Sequence, residues 1–137
     1  MQADQVLNLI KEQIPFVGQL DMRFLEFNAD RVELECLLDE GHARPGGTIS
    51  GPVMMALGDV VAYACILARN PMALSSVTVG FQVHFFRRPK PDKIRVSGKV
   101  MKMGRRLAFC DILLFQESEK NPVAQITCSY AIAEGNG

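Results

Sequence analysis

Residues 44–63 read RPGGTISGPVMMALGDVVAY, and this stretch predicts the centre of the fold. From Pro52 to Ala68 the chain is apolar apart from Asp59. Proline is tolerated in the first turn of a helix, because its missing N–H would be unpaired there anyway. These 17 residues fall at the short limit for a membrane span and carry an acid at their middle. We therefore expect a buried core helix that opens at Ser50-Gly51-Pro52.

Strand-like segments stand on both sides of this helix. They are predicted at residues 20–28 and 31–38 before it, and at 75–87, 93–102, 106–116 and 122–133 after it. The intervening turns are short, which indicates an antiparallel meander. Residues 2–13 predict a short amphipathic helix that Pro15 stops, and residues 41–51 predict a loop. A helix that is apolar nearly all round must be covered on most sides. The sequence thus predicts an α+β fold with a curved antiparallel sheet of five to six strands around one long helix.

Size and composition narrow the class of protein. A chain of 137 residues fits a single domain over residues 1–137, and 48% hydrophobic content excludes a disordered chain. Fifteen basic side chains balance fifteen acidic ones, so we expect neither nucleic acid nor a membrane as a partner. The N-terminus lacks the pattern of a secretory signal, which predicts a cytoplasmic location. Four scattered cysteines and two histidines predict reduced core thiols without a metal site or cofactor.

Asp59 is the outlier of the predicted helix. No lysine or arginine precedes Arg69 within the helix, and an unpaired buried carboxylate is costly. One interpretation is a structural acid that reaches solvent or a partner from elsewhere in the chain. The functional interpretation is a carboxylate in a poorly solvated cleft that acts as a general base.

The start of the same helix offers a second chemical group. Helix capping alone explains Ser50-Gly51-Pro52, but a free Gly51 N–H at the positive end of the helix dipole can also stabilise an oxyanion. Gly51 and Asp59 are eight residues apart, which is roughly 12 Å along a straight helix. They are too far apart to share one substrate atom easily, so we expect the two groups to come from different subunits.

Two basic segments are candidates for phosphate binding. One contains Arg87, Arg88 and Lys90, and the other contains Arg105 and Arg106. Arginine side chains match the geometry of phosphate oxygens well. Exposed basic turns are also commonly only solvated, and that alternative stays open here.

The helix segment resembles the signature of PaaI-like hotdog thioesterases, in which an Asn precedes a His-Gly-Gly at the helix start and an acid follows nine positions after the His. Residues 78–91 (TVGFQVHFFRRPKP) and the later Gly104-Arg105-Arg106 are also similar to that family. The resemblance covers roughly residues 20–133. It implies a hotdog fold that assembles its sites at the interface of a homodimer, with a homotetramer common in the family.

The resemblance also implies a role for individual residues. Asp59 falls on the catalytic acid, which acts as a base or nucleophile. Gly51 falls on the glycine whose N–H polarises the thioester carbonyl, and Thr78 falls on a position that helps place the attacking water. Ser50, Pro52 and Arg44 replace the family's His, second Gly and Asn. Arg44 adds a positive charge that either binds substrate or pairs with Asp59.

The expected function is hydrolysis of an acyl-CoA, with CoA belonging to the substrate and no cofactor required. Asp59, Gly51 and Thr78 are the expected catalytic residues. The expected substrate-binding residues are Arg44, Ser50, Tyr63, Arg87, Arg88, Lys90, Arg105 and Arg106. Two alternatives are a non-catalytic acyl-CoA-binding protein, because of the three replacements, and a hydratase acting on an enoyl or hydroxyacyl thioester, for which His42 and His84 are not obviously placed.

Overall fold

The long apolar segment forms the central helix of the fold in a computed structural model, which describes residues 1–135. The elements, in chain order, are α1 (Ala3–Gln13), α2 (Pro15–Gly18), β1 (Asp21–Phe27), β2 (Val32–Leu37), a 3-10 turn (Glu40–His42), β3 (Ala43–Arg44), β4 (Thr48–Ile49), α3 (Gly51–Arg69), β5 (Val77–Phe85), β6 (Lys93–Met103), β7 (Leu107–Phe115) and β8 (Ala124–Ala131). Helix α3 begins where Ser50 was expected to cap it, and it ends at Arg69 before Asn70-Pro71.

Six strands form one antiparallel sheet in the order β1-β2-β6-β7-β8-β5. Alternate residues of the strands point toward α3, as Val32, Leu34 and Cys36 do on β2. The predicted α+β fold with six strands around one helix is therefore confirmed. Helix α3 has the length and composition of a membrane span, but most of it is buried by the rest of the chain.

The prediction of a simple meander was wrong for one strand. Strands β6, β7 and β8 follow one another in the sheet, but β5 pairs with β8 and occupies the edge. Residues 86–92 carry the chain across to β6, and Arg87 N–H donates to Val123 O while Pro89 O accepts from Ile49 N–H. This position at the edge leaves one side of β5 without a strand partner in the described part of the chain.

Four short elements were not predicted. Helix α2 begins at Pro15, so this residue ends α1 and also starts a further turn of helix that leads into β1. The predicted loop of residues 41–51 contains the 3-10 turn and the β3–β4 hairpin. Gly46 and Gly47 lie at the tip of this hairpin with φ of 103° and 76°, a backbone region that favours glycine.

The core lies between α3 and the sheet, and α1 closes one end of it through Val6 and Ile10. Helix and sheet approach closely at Gly58, where an added Cβ would lie 2.3 Å from Ile126 Cδ1. All four cysteines are buried as free thiols. Burial raises the pKa of the Cys110 thiol to about 12, so this group stays protonated at neutral pH.

Candidate active site

Asp59 projects from the middle of α3 toward the edge of the sheet. Its Oδ1 atom accepts a hydrogen bond from Thr78 Oγ1 at 2.7 Å and another from the Tyr130 hydroxyl at 2.7 Å. The Cys128 thiol approaches the same oxygen at 3.8 Å. Because Thr78 is on β5 and the other two residues are on β8, two neighbouring strands fix the orientation of one carboxylate.

The donors to Asp59 stay protonated. Burial, and next the charge of Asp59, raise the pKa of the Tyr130 phenol far above its ordinary value. The same two causes raise the pKa of the Cys128 thiol to about 12. Both groups therefore donate hydrogen bonds to a carboxylate and do not compete with it for charge.

The second oxygen of Asp59 has a different environment. Among residues 1–135 no donor lies within hydrogen-bond distance of Oδ2, and this oxygen is not sealed from solvent. None of the ion pairs found in residues 1–135 includes Asp59, so Arg44 of the same chain does not pair with it. One oxygen is thus held by the protein while the other is open.

Asp59 and Thr78 stand where a cavity and a groove meet. The cavity has a volume of about 600 Å³ and extends along the second half of α3, past Val60 and Tyr63, to the N-terminal helices. The groove has a volume of about 520 Å³ and extends toward the start of α3, past Pro52 and Met55. A substrate that spans both would place its centre at the carboxylate.

The start of α3 forms a separate part of the surface. Ser50 occupies the N-cap position without a side-chain capping hydrogen bond. The Gly51 N–H has no acceptor among the described residues, so it is free to bind an external oxygen. The Phe85 ring lies beside it, since an added Cβ on Gly51 would be 3.3 Å from Phe85 Cζ.

The predicted binding residues divide among several places. Tyr63 lines the cavity that holds Asp59, and its hydroxyl donates to Leu74 O at 2.8 Å. A second cavity of about 330 Å³ brings Gly51 together with Arg44, Arg87 and Arg88.

Lys90 lies apart from that second cavity. Lys90 lines a different pocket of about 220 Å³ together with Arg87 and Arg88. In this pocket Gln116 Oε1 accepts from Lys90 N–H at 2.9 Å. Arg105 and Arg106 lie in the exposed β6–β7 turn, and neither lines a cavity described above. This turn adjoins the end of β8 that pairs with Val77, whereas Arg87 follows the opposite end of β5. Within one chain the two basic segments therefore lie near opposite ends of β5.

The two histidines lie away from Asp59. His42 Nδ1 accepts from Asp39 N–H at 3.0 Å in the 3-10 turn, and the His84 ring stacks with Phe86 on an exposed part of the chain. Neither lines the cavity or the groove at the carboxylate. An acid–histidine pair of the kind that the hydratase alternative requires does not occur there among residues 1–135.

Tyr130 and Cys128 were not predicted as site residues. The sequence carries a signal for Tyr130, because alternation along β8 places it on the same inward face as Ile126 and Cys128. A buried tyrosine hydroxyl usually requires a hydrogen-bond partner. The identity of that partner depends on how β8 is placed against α3, which the pattern alone does not specify.

Comparisons with known proteins show the family of the chain. Residues 46–123 match the thioesterase superfamily. A Pseudomonas aeruginosa protein named "Putative esterase PA0474" is 33% identical over 103 residues, which cover 73% of this chain and 76% of that protein. The crystal structure of a "putative thioesterase" from a Silicibacter species is 32% identical with a TM-score of 0.82, covering 97% of this chain and 92% of the other.

Two more distant structures share the fold. The phenylacetic acid degradation protein PaaI from Thermus thermophilus, in a mutant form, has a TM-score of 0.76 at 20% identity, over 87% of this chain and 99% of its own. A hypothetical thioesterase from Streptococcus pneumoniae, crystallised with coenzyme A, has a TM-score of 0.80 at 14% identity, over 93% and 99% of the two chains.

Proposed function

The chain belongs to the thioesterase superfamily and has the hotdog fold, and we propose that it hydrolyses an acyl-CoA thioester to the free acid and CoA. The observation that carries this proposal is the Asp59 carboxylate, held at Oδ1 and open at Oδ2 where cavity and groove meet. The Streptococcus pneumoniae structure that contains coenzyme A supports a ligand of the CoA type.

The proposed reaction uses water as the nucleophile. Asp59 Oδ2 removes a proton from a water molecule as its oxygen attacks the thioester carbonyl carbon. The carbonyl oxygen becomes an oxyanion that accepts a hydrogen bond from a Gly51 N–H. When the tetrahedral intermediate collapses, the C–S bond breaks and the CoA sulfur takes the proton from Asp59. The products are the acid and CoA, and no cofactor is consumed.

In this proposal Gly51 and Asp59 of one site come from two copies of the chain. Within one chain they are separated by about two turns of α3, roughly 12 Å. Strand β5 has a free edge and exposes Val77, Val79 and Phe85, which are 58%, 58% and 47% accessible. A free, apolar strand edge favours pairing with a second strand.

An antiparallel pairing of two β5 strands would bring Gly51 of one copy close to Asp59 of the other. If the two-fold axis passes near Phe81, at the middle of β5, Phe85 of one copy lies opposite Val77 of the other. Gly51 packs beside Phe85, and Asp59 binds Thr78, the neighbour of Val77. The helix start of one copy is thereby brought to the carboxylate of the other.

The same pairing supports a shared phosphate-binding surface. Arg87 and Arg88 follow one end of β5, and the turn with Arg105 and Arg106 adjoins the other end. In an antiparallel dimer these segments of two copies lie at the same end of the joined sheet. Exposed Met101, Leu107 and Phe109 on the outer sheet face support a further pairing into a tetramer. A cytoplasmic location stays a prediction.

The proposal is tested by thiol release from a panel of acyl-CoAs. Wild type is expected to release CoA from at least one ester, and Asp59→Asn is expected to lower kcat by roughly 100- to 10,000-fold, because it removes the base. Asp30→Asn serves as a matched control, since Asp30 lies exposed in the β1–β2 turn.

Two outcomes would reject hydrolysis by this site. One is unchanged turnover in Asp59→Asn with both variants folded as judged by circular dichroism. The other is no release from any ester by the wild type. Retained acyl-CoA binding in that second case would favour the non-catalytic binding protein, and loss of enoyl absorbance would favour a hydratase.

A further inference from the structure

The cavity beside Asp59 has the properties of a selective binding site. Its volume of about 600 Å³ lies within the range of pockets that hold small organic ligands. One wall is formed by α3 and the start of β5, and the other is the corner between α1 and α2, with Ile14, Phe16 and Val17. Because the groove leads toward the start of α3, the cavity extends in the opposite direction from the carboxylate.

The lining of this cavity favours an uncharged guest. Among the described residues that line it, Asp59 is the single carboxylate and no lysine, arginine or histidine is present. The hydroxyls of Tyr63 and Tyr130 already donate to Leu74 O and Asp59 Oδ1. A second anion inside the cavity would face the Asp59 carboxylate without a compensating cation, which is strongly unfavourable.

The corner between α1 and α2 closes the far side. Ile10 anchors α1 in the core with 1% of its surface exposed, and Val17 anchors α2 with 4% exposed. Gly18 permits their close approach, since an added Cβ would lie 2.8 Å from Lys11 O. Ile14 and Phe16 between these anchors remain 40% and 60% exposed, so they form an apolar rim.

We propose that this cavity binds an uncharged, apolar acyl group of medium length, and that the corner at residues 14–17 sets the length it accepts. The proposal rests on the proposed function, because it assigns the acyl part of the substrate of the same site. Short acyl groups leave the far wall uncovered, and long ones must pass the rim formed by Phe16.

The test compares acetyl-, octanoyl- and palmitoyl-CoA with the eight-carbon ω-carboxyacyl-CoA. Wild type is expected to favour octanoyl-CoA over acetyl-CoA in kcat/KM by at least about tenfold, because apolar contacts discriminate by that order. The ω-carboxyacyl-CoA, whose acyl chain ends in a carboxylate, is expected to react at least about tenfold more slowly than octanoyl-CoA.

Two variants address the corner itself. Val17→Phe fills the cavity, and we expect the ratio of kcat/KM for octanoyl-CoA to kcat/KM for acetyl-CoA to fall about tenfold. Met72→Phe adds the same ring at a position that is 61% exposed and lines no cavity described here, so it is the control. If Val17→Phe does not fold, Phe16→Ala tests the rim at an exposed position. Its expected result is a smaller preference for octanoyl-CoA over acetyl-CoA.

A binding measurement separates this proposal from the function. The probe is a non-hydrolysable S-octyl-CoA thioether, compared with CoA by calorimetry. The cavity assignment is supported if the thioether binds more tightly than CoA and if Val17→Phe or Phe16→Ala reduces this difference in affinity. This holds even if no ester is hydrolysed. Asp59-dependent hydrolysis without any preference for the octyl chain overturns the assignment but leaves the function. If no ester releases thiol and the thioether binds no more tightly than CoA, both the cavity assignment and the proposed function are overturned.

Discussion

At the scale of single residues, the proposed site depends on the different environments of the two oxygens of the Asp59 carboxylate. Thr78 and Tyr130 donate to Oδ1 of Asp59, and no protein donor within residues 1–135 reaches Oδ2. Strands β5 and β8 hold the two hydroxyls in fixed places. They also fix the direction in which Oδ2 points, which matters because small displacements of a base are costly in rate.

Removing the hydroxyl of Tyr130 is therefore expected to slow the reaction. Tyr130→Phe should lower kcat by up to about a hundredfold, because Asp59 Oδ1 loses one of the donors that fix its orientation. Thr78→Val should act in the same direction.

The folded fraction distinguishes this role from a merely structural one. A general loss of packing would lower the folded fraction seen by circular dichroism, whereas a loss of positioning lowers kcat in a fully folded variant. Wild-type kcat in Tyr130→Phe would contradict the proposed positioning role.

The residues of the site differ in how far they could be predicted. Asp59 was identified because it is the single charged residue between Pro52 and Ala68, and its position needed only the helical pattern. Thr78 was assigned only through the family resemblance. Tyr130 was missed because its partner lies 71 positions earlier in the chain, and such a contact requires the folded arrangement of β8 and α3.

At the scale of elements, local patterns predicted most of the fold. The β1–β2 turn is short, as expected, and Asn28 Oδ1 accepts from Asp30 N–H within it. Helix α2 and the β3–β4 hairpin were missed because they are too short for a periodic pattern. The place of β5 was missed because sheet order is set by the long-range pairing with β8 and not by the length of the connection to β6.

Close packing of α3 on the sheet yields a stability prediction at Gly98. An added Cβ would lie 2.6 Å from both Ile112 Cδ1 and Val61 Cγ1, and 3.2 Å from Cys65 Sγ. Gly98→Ala should lower the free energy of unfolding by about 1–3 kcal/mol, because buried side chains must shift to accommodate the methyl group.

Urea unfolding at one fixed protein concentration measures this effect. Gly104→Ala is the control, since its nearest neighbour would be Leu107 O at an ordinary 3.6 Å. A Gly98→Ala protein as stable as this control would show that helix and sheet are less tightly packed than described.

At the scale of the whole molecule, the two parts of the proposed site do not meet within one chain. Asp59 has its cavity and groove, and Gly51 has its own cavity with Arg44, Arg87 and Arg88. The sequence predicted this separation from the spacing along one helix. Among residues 1–135 no strand pairs with the outer edge of β5, which gives two copies a physical reason to join. In the proposed antiparallel dimer the two parts of the site would come together.

The most direct test of this account uses a mixed dimer of two inactive variants. Asp59→Asn removes the base, and Gly51→Pro removes the N–H. Ser50 already has φ −69° and ψ 146°, a backbone conformation compatible with a following proline. Co-expression with two different affinity tags allows mixed dimers to be isolated, and thiol release is measured on the best acyl-CoA substrate.

Each mixed dimer then contains one site with both native groups and one site with neither. Each variant alone is expected to be inactive, and the mixed dimer is expected to recover about half of the wild-type activity. Mixed dimers that are folded but as inactive as the two parents would contradict a site shared between copies.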